Sequence, residues 1–159
     1  PFGHHVETLK LPRRMVTRSE KEWAQAQVDR VLAKPADKRT SAEESHRRWN
    51  QHVLDRFKEQ QANPKFEMEL HVLRLGDVAV ATNPFELFLD FGLRMKTRCK
   101  APQTFIVQLA CSAGAYLPTV KAVAGGGYSA IIQSNLVGPE GGDVLVNRTV
   151  ELINAMWAK

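Results

Sequence analysis

Phe66-Glu67-Met68-Glu69-Leu70-His71-Val72-Leu73-Arg74-Leu75-Gly76-Asp77-Val78-Ala79-Val80-Ala81-Thr82 decides the fold. From Phe66 to Val72 apolar and polar residues alternate, the period of a strand with one covered face. Gly76-Asp77 interrupts two apolar runs and predicts a tight hairpin turn. The second run, Val78 to Thr82, is almost wholly apolar, which predicts a central strand covered on both faces. Asn83-Pro84 follows at once. Asn is a good N-cap, Pro suits the first helical position, and Glu86 then falls near N3 as a capping acid. Phe85, Phe88, Leu89, Leu93 and Met95 would cover that helix, with Lys96, Arg98 and Lys100 against its C-terminal dipole. Thr104 to Ala110 is the next apolar run. It reads as a buried strand parallel to Val78–Thr82, because a helix connects the two.

Outward from this centre the pattern is helical. Upstream, Val6 to Leu11 alternates as a strand that needs a partner from elsewhere. Ser19-Glu20-Lys21-Glu22 reads as a capping box before a helix with a stripe of Trp23, Ala26, Val28, Val31 and Leu32, ended by Lys34-Pro35. A second helix, from Ser41 to about Ala62, carries Trp49, Val53, Leu54 and Phe57 on one face, with Ser41 as cap and Glu44 as its partner. Downstream, residues 118–124 form one short helix, Gly125-Gly126-Gly127 a turn, and Asp143 caps a last apolar helix. The fold class is α/β, a mixed sheet of hairpin plus parallel strand covered by helices. Residues 1–159 read as a single α/β unit: a mainly helical lead-in over 1–64, then the sheet, site residues and C-terminal helix over 65–159.

Composition excludes several classes. The 159 residues suffice for one domain with a core. No apolar run reaches the roughly 20 residues of a transmembrane segment, and the start is not a signal peptide. The net charge of +5 comes mostly from mixed-sign helical surfaces before residue 60, with no basic stripe interleaved by aromatics, so no nucleic-acid partner is expected. Cys99 and Cys111 have no metal-ligand spacing; a disulfide between them, and the compartment, stay open. His46 and His52 lie six apart on a helix, a poor spacing for one metal. His4 and His5 are adjacent on a strand and point to opposite faces, and His71 reads as structural.

Two sets of residues follow strand ends, where open α/β sheets hold their ligands. Glu86 follows Val78–Thr82. The Tyr116-Leu117-Pro118-Thr119 loop follows Thr104–Ala110, and Tyr128 follows the glycine run. The carboxylate could equally be a capping acid, and the tyrosines half-buried core residues.

Pro84-Phe85-Glu86, a helix with Gly92 and Arg94, a strand, a Tyr-x-x-Thr loop and a Gly-rich turn with Tyr together resemble the neutral/alkaline ceramidase family. That family has Pro-Gly-Glu before a similar helix, a Tyr followed by a Thr-Thr step, and a second Tyr twelve residues on, the spacing of Tyr116 and Tyr128. Its Gly-Pro step before a terminal helix resembles Gly138-Pro139. The resemblance covers roughly residues 67 to 158. It implies a zinc-dependent amidohydrolase in which Glu86 and Tyr116 bind the metal and Tyr128 binds the developing oxyanion. Two histidines from outside this chain complete the zinc. It further implies a C-terminal part of a larger protein, roughly two-fold longer, whose missing N-terminal part is a partner of this chain. It implies a small-molecule or lipid amide substrate and a secreted or periplasmic location. This chain alone is expected to be inactive. Phe85 stands where the family has glycine, which narrows the room for a lipid, and Pro118 replaces the first Thr of the Thr-Thr step. The rival reading is a non-catalytic α/β interaction module, or an inactive relic of the family, in which Glu86 only caps a helix.

Overall fold

The computed structural model describes residues 1–158. In chain order the elements are β1 (Phe2–Pro12), α1 (Arg18–Leu32), α2 (Ser41–Glu59), β2 (Lys65–Leu75), β3 (Val78–Thr82), β4 (Glu86–Leu87), α3 (Leu89–Arg98), β5 (Gln103–Val107), β6 (Tyr116–Leu117), α4 (Val120–Gly125) and α5 (Pro139–Met156). They fall into two compact units, Met15–Pro64 and the remainder of the chain.

The smaller unit is a pair of helices. Both open on a threonine rather than the expected serine. Thr17 caps α1 in a reciprocal box with Glu20, and Thr40 caps α2 with Glu43. Ser19 and Ser41 also have an acid three positions on, Glu22 and Glu44, so that spacing alone does not choose between neighbouring hydroxyls. Glu44, read as the box partner, instead pairs with Arg39 and Arg47. The buried residues of α1 are Ala24, Val28 and Val31, while Trp23 is half exposed.

The larger unit is built on a four-stranded sheet in the order β1-β2-β3-β5. β1 finds its partner 63 positions away at the middle pair, Glu7 opposite Leu70, antiparallel along the full length of β2, with Leu11 opposite Phe66 and Phe2 opposite Leu75. The lead-in 1–64 is thus divided: its first strand belongs to the sheet, its helices to the smaller unit. The β2–β3 hairpin turns at Gly76-Asp77, where Gly76 has φ 62°. Only glycine adopts that angle without cost. β5 lies parallel to β3, Ala79 opposite Thr104 and Ala81 opposite Ile106, as a connection through a helix allows.

Register puts Leu11, Phe66, Met68, Leu70, Val72, Ala79, Ala81 and Thr104 on one face, all buried. α3 and α5 pack there. Phe91 and Met95 of α3 and Leu145, Val146, Val150 and Ile153 of α5 complete the core. Contact is close: a Cβ at Gly142 would sit 2.3 Å from Phe91 Cζ, and one at Gly141 would sit 2.1 Å from a Val137 methyl. At β1, Arg148 of α5 donates two hydrogen bonds to Glu7, Nε to Oε1 at 2.6 Å and Nη2 to Oε2 at 2.7 Å. That guanidinium holds the Glu7 carboxyl down at about 2.

Four expectations fail here. β3 is central but covered on one face only, with Val78, Val80 and Thr82 half exposed. β5 is an edge strand, with Phe105 and Val107 exposed, not a buried one. An apolar run reports hydrophobicity, not which of two faces another layer reaches. In α3, Phe91 and Met95 are buried while Leu89 and Leu93 are exposed. Asp143 does not cap α5: Gly138 occupies that position, with Pro139 at the first turn, and Asp143 pairs with Arg94 at 2.7 Å.

Candidate functional site: a two-residue ladder beyond the strand ends

The largest departure from the sequence expectation is at the site. Asn83 does not start a helix. It is buried, its Oδ1 accepts from the Phe85 amide at 3.1 Å, its own amide donates to Val107 at 2.9 Å, and its carbonyl accepts from Ala110 at 3.0 Å. An Asn that bonds an amide two residues on closes a local turn and competes with the helix. The Pro84 carbonyl accepts from Gly114 at 2.7 Å. The chain thus crosses to the loop after β5 and pairs with it before α3 begins at Leu89, with Phe88 as N-cap and no side-chain cap.

That pairing is β4 with β6, parallel, with Glu86 opposite Tyr116 and Leu87 opposite Leu117. The Glu86 amide donates to Ala115 at 3.0 Å and the Phe88 amide to Leu117 at 3.2 Å. Between them the Leu87 amide donates to the Gln108 side chain at 2.8 Å. Leu87 and Leu117 face the core, so strand alternation turns Glu86 and Tyr116 to the other side. Glu86 is therefore not a capping acid. Phe85 is fully buried, its ring 5.5 Å from that of Phe66 and pressed against Gly114, where a Cβ would lie 2.4 Å from the ring. It takes up core volume rather than space beside Glu86.

The three residues singled out by sequence meet. The Glu86 carboxylate, as a hydrogen-bond acceptor for the protonated phenol, raises Tyr116 above its ordinary pKa, aided by burial and the carboxylate charge. Tyr128 stands edge-on to Tyr116, ring centroids 5.9 Å apart and planes at 81°. It follows Gly126 and Gly127, with φ of 71° and 96°, and is 67% exposed, at the rim. α4, capped by Thr119, links the two tyrosines. A carboxylate and a phenol oxygen side by side can share one cation, and an exposed phenol beside them can donate a hydrogen bond. Two oxygen donors are half of a four-coordinate zinc shell.

A second grouping was missed. Glu69 Oε, a ring nitrogen of His71 and Cys111 Sγ all lie within 4.8 Å of one another, and among the described residues this is the one set of His, Cys, Asp and Glu side chains so placed. Glu69-x-His71 on an alternating strand was a legible sign, since both must share a face. Cys111 arrives from 40 residues away and gave no sign. His4 and His5 do point to opposite faces: His4 stacks on His71, and His5 contacts Glu7. Cys99 and Cys111 form no disulfide.

No protein-family model and no curated protein matches the chain. Solved structures do. A ceramidase complexed with C2 is similar over 57% of this chain and 15% of its own, at 17% identity and a TM-score of 0.51. The neutral ceramidase from Pseudomonas aeruginosa is similar over the same shares, at 18% identity and a TM-score of 0.51. The chain therefore spans about a seventh of the length of these relatives, and at such identity the likeness is one of fold: the sheet-and-helix arrangement described above resembles part of a neutral ceramidase.

Proposed function

We propose that this chain belongs to a ceramidase-like, zinc-dependent amide hydrolase, to which it contributes two metal ligands, Glu86 and Tyr116, and an oxyanion donor, Tyr128. The observation that carries the reading is the β4–β6 ladder, which sets Glu86 directly opposite Tyr116 with Tyr128 against the same ring. The donor set suits zinc but fills half its shell, so two histidines outside this chain would complete it. Bound there, zinc would lower the pKa of a coordinated water to about 7 and polarise a substrate carbonyl.

The chain's own residues do the rest. Glu86 favours the protonated Tyr116 phenol as its acceptor, and the ladder fixes both backbones. Loss of the Tyr116 proton would leave a phenolate and a carboxylate as a pair of anionic donors. Tyr128 reaches solvent at the rim, where its hydroxyl could donate to a carbonyl oxygen as charge develops on it. The substrate class is an N-acyl amide, lipid or small molecule. Phe85, buried in the core, places no limit on an acyl chain.

The test uses the full-length protein. Glu86→Gln and Tyr116→Phe should each lower zinc content and abolish amide hydrolysis. Tyr128→Phe should keep the zinc and lose about 10²–10³ in kcat, the usual cost of one oxyanion donor. Native zinc content and activity in Glu86→Gln would defeat the proposal and leave a non-catalytic module.

A further inference from the structure

The Glu69, His71 and Cys111 side chains share no residue with the ladder, and their geometry asks for a different explanation. Glu69 and His71 project from the same face of β2, the face that α3 and α5 leave open. Cys111 reaches them from the loop after β5. Leu109, Cys111 and Ala115 in that loop hold φ of 53°, 65° and 57°, angles that L-residues rarely adopt. The loop is braced in that shape by Ala110 donating to Asn83 and Gly114 donating to Pro84. Non-glycine residues held at such angles concentrate at ligand clamps.

The imidazole is fixed from both sides. His71 Nδ1 lies 2.9 Å from His4 Nε2, and His71 Nε2 lies 2.6 Å from Glu69 Oε1. The two rings stack, centroids 5.1 Å apart and 11° from parallel. The carboxylate can only accept, so without metal His71 Nε2–H donates to Glu69 Oε1; a metal taking Nε2 would displace that proton, leaving Nδ1–H to donate to His4 Nε2. Ligating histidines are oriented in this way, by a bond from the nitrogen that does not touch the metal.

We propose that Cys111 Sγ, His71 Nε2 and a Glu69 carboxylate oxygen form a second metal site, with His4 as its positioning residue, for a zinc-class divalent ion. Ligand bonds of 2.0–2.3 Å in a tetrahedron set donors about 3.6 Å apart. Donors already within 4.8 Å of one another reach that spacing by small side-chain rotations. One thiolate, one imidazole and one carboxylate favour zinc or cobalt over magnesium or calcium, which take oxygen donors. Three protein ligands leave a fourth position open to water or a small ligand. Binding displaces the thiol proton, so affinity rises with pH.

Titration of the whole chain with cobalt(II), under a phosphine reductant, tests this directly. One equivalent should bind with a thiolate-to-cobalt charge-transfer band, zinc should displace it, and magnesium or calcium should not. Cys111→Ser should lose the band with an unchanged far-ultraviolet circular dichroism spectrum. Glu69→Gln should bind roughly tenfold more weakly or worse, and His4→Ala roughly 10–100-fold more weakly. Glu86→Gln should bind as the native chain does, which separates this site from the ladder. Absence of binding by the native chain, binding without the thiolate band, or equal affinity in Cys111→Ser would each overturn the proposal.

Discussion

The four-stranded sheet and the two-residue ladder are both β-structure, but different forces build them. In the sheet, β1 and β2 pair over eleven residues each, and one whole face is sealed by α3 and α5. Register there is set by alternation, because a slip of one residue would turn the buried set to solvent. The ladder has two residue pairs. Nothing so short holds itself, since a lone short ladder is marginal in water. Its place is set by side chains that bond backbone amides, Asn83 to Phe85 and Gln108 to Leu87, and by the fit of Phe85 over Gly114. The lesson is that the core of this protein is robust to detail, while the site rests on a few polar contacts at its edge.

Substitutions can break that contrast. Phe91→Ala should cost the most, about 3–5 kcal/mol in denaturant unfolding, because the ring is 1% exposed and lies over Gly142. A cost under 1 kcal/mol would show a core far looser than described. Next comes Arg148→Ala, at about 1.5–3 kcal/mol, since it strips a bidentate partner from Glu7. This contact also carries a pH signature. Glu7 is held at about 2 when folded, below the ordinary 4.5. Its contribution is therefore complete above about pH 4.5 and is lost as pH falls through about 2. Glu7→Gln should flatten the acid limb of the stability curve in that window.

The ladder side of the comparison predicts smaller stability effects with sharper local readouts. Gly114→Ala should cost about 1–3 kcal/mol by forcing Phe85 aside, and should disturb the titration of Tyr116 more than Phe91→Ala does. Gln108→Ala leaves the Leu87 amide without its acceptor and should cost about 1 kcal/mol. Glu86→Gln should be the mildest, within about 0.5 kcal/mol. By removing the charge that opposes phenolate formation, it should lower the Tyr116 pKa towards the ordinary phenol value, as read by ultraviolet titration. An unmoved phenol would show that the two side chains do not interact.

The residues Phe66 to Val107 gave up the hairpin, the parallel β3–β5 pair and the connecting helix, because period and turn chemistry are local. They misled on burial. Val78, Val80, Phe105 and Val107 are apolar, and only the assembled layers show that the face they share is open. Pro84-Phe85-Glu86 misled on structure as well, since Asn83 fits a helix cap and an Asx turn equally and the choice depends on Gly114, Ala115 and Gln108, far along the chain. The meeting of Glu86, Tyr116 and Tyr128 was foreseen from strand order and a family spacing, though by a ladder no pattern announced.

The sequence by itself determined the α/β class, the caps of α1 and α2 to within a residue or two, and the order in which site residues leave the strands. These follow from interactions over one or two turns, or from side-chain alternation. Tertiary structure alone decided that Glu86 lies in a strand opposite Tyr116, that one sheet face stays open, and that Cys111 comes to Glu69 and His71. Each of those joins segments 30 residues or more apart, and contacts of that span are selected by the packing of the whole core rather than by any preference a short stretch can carry.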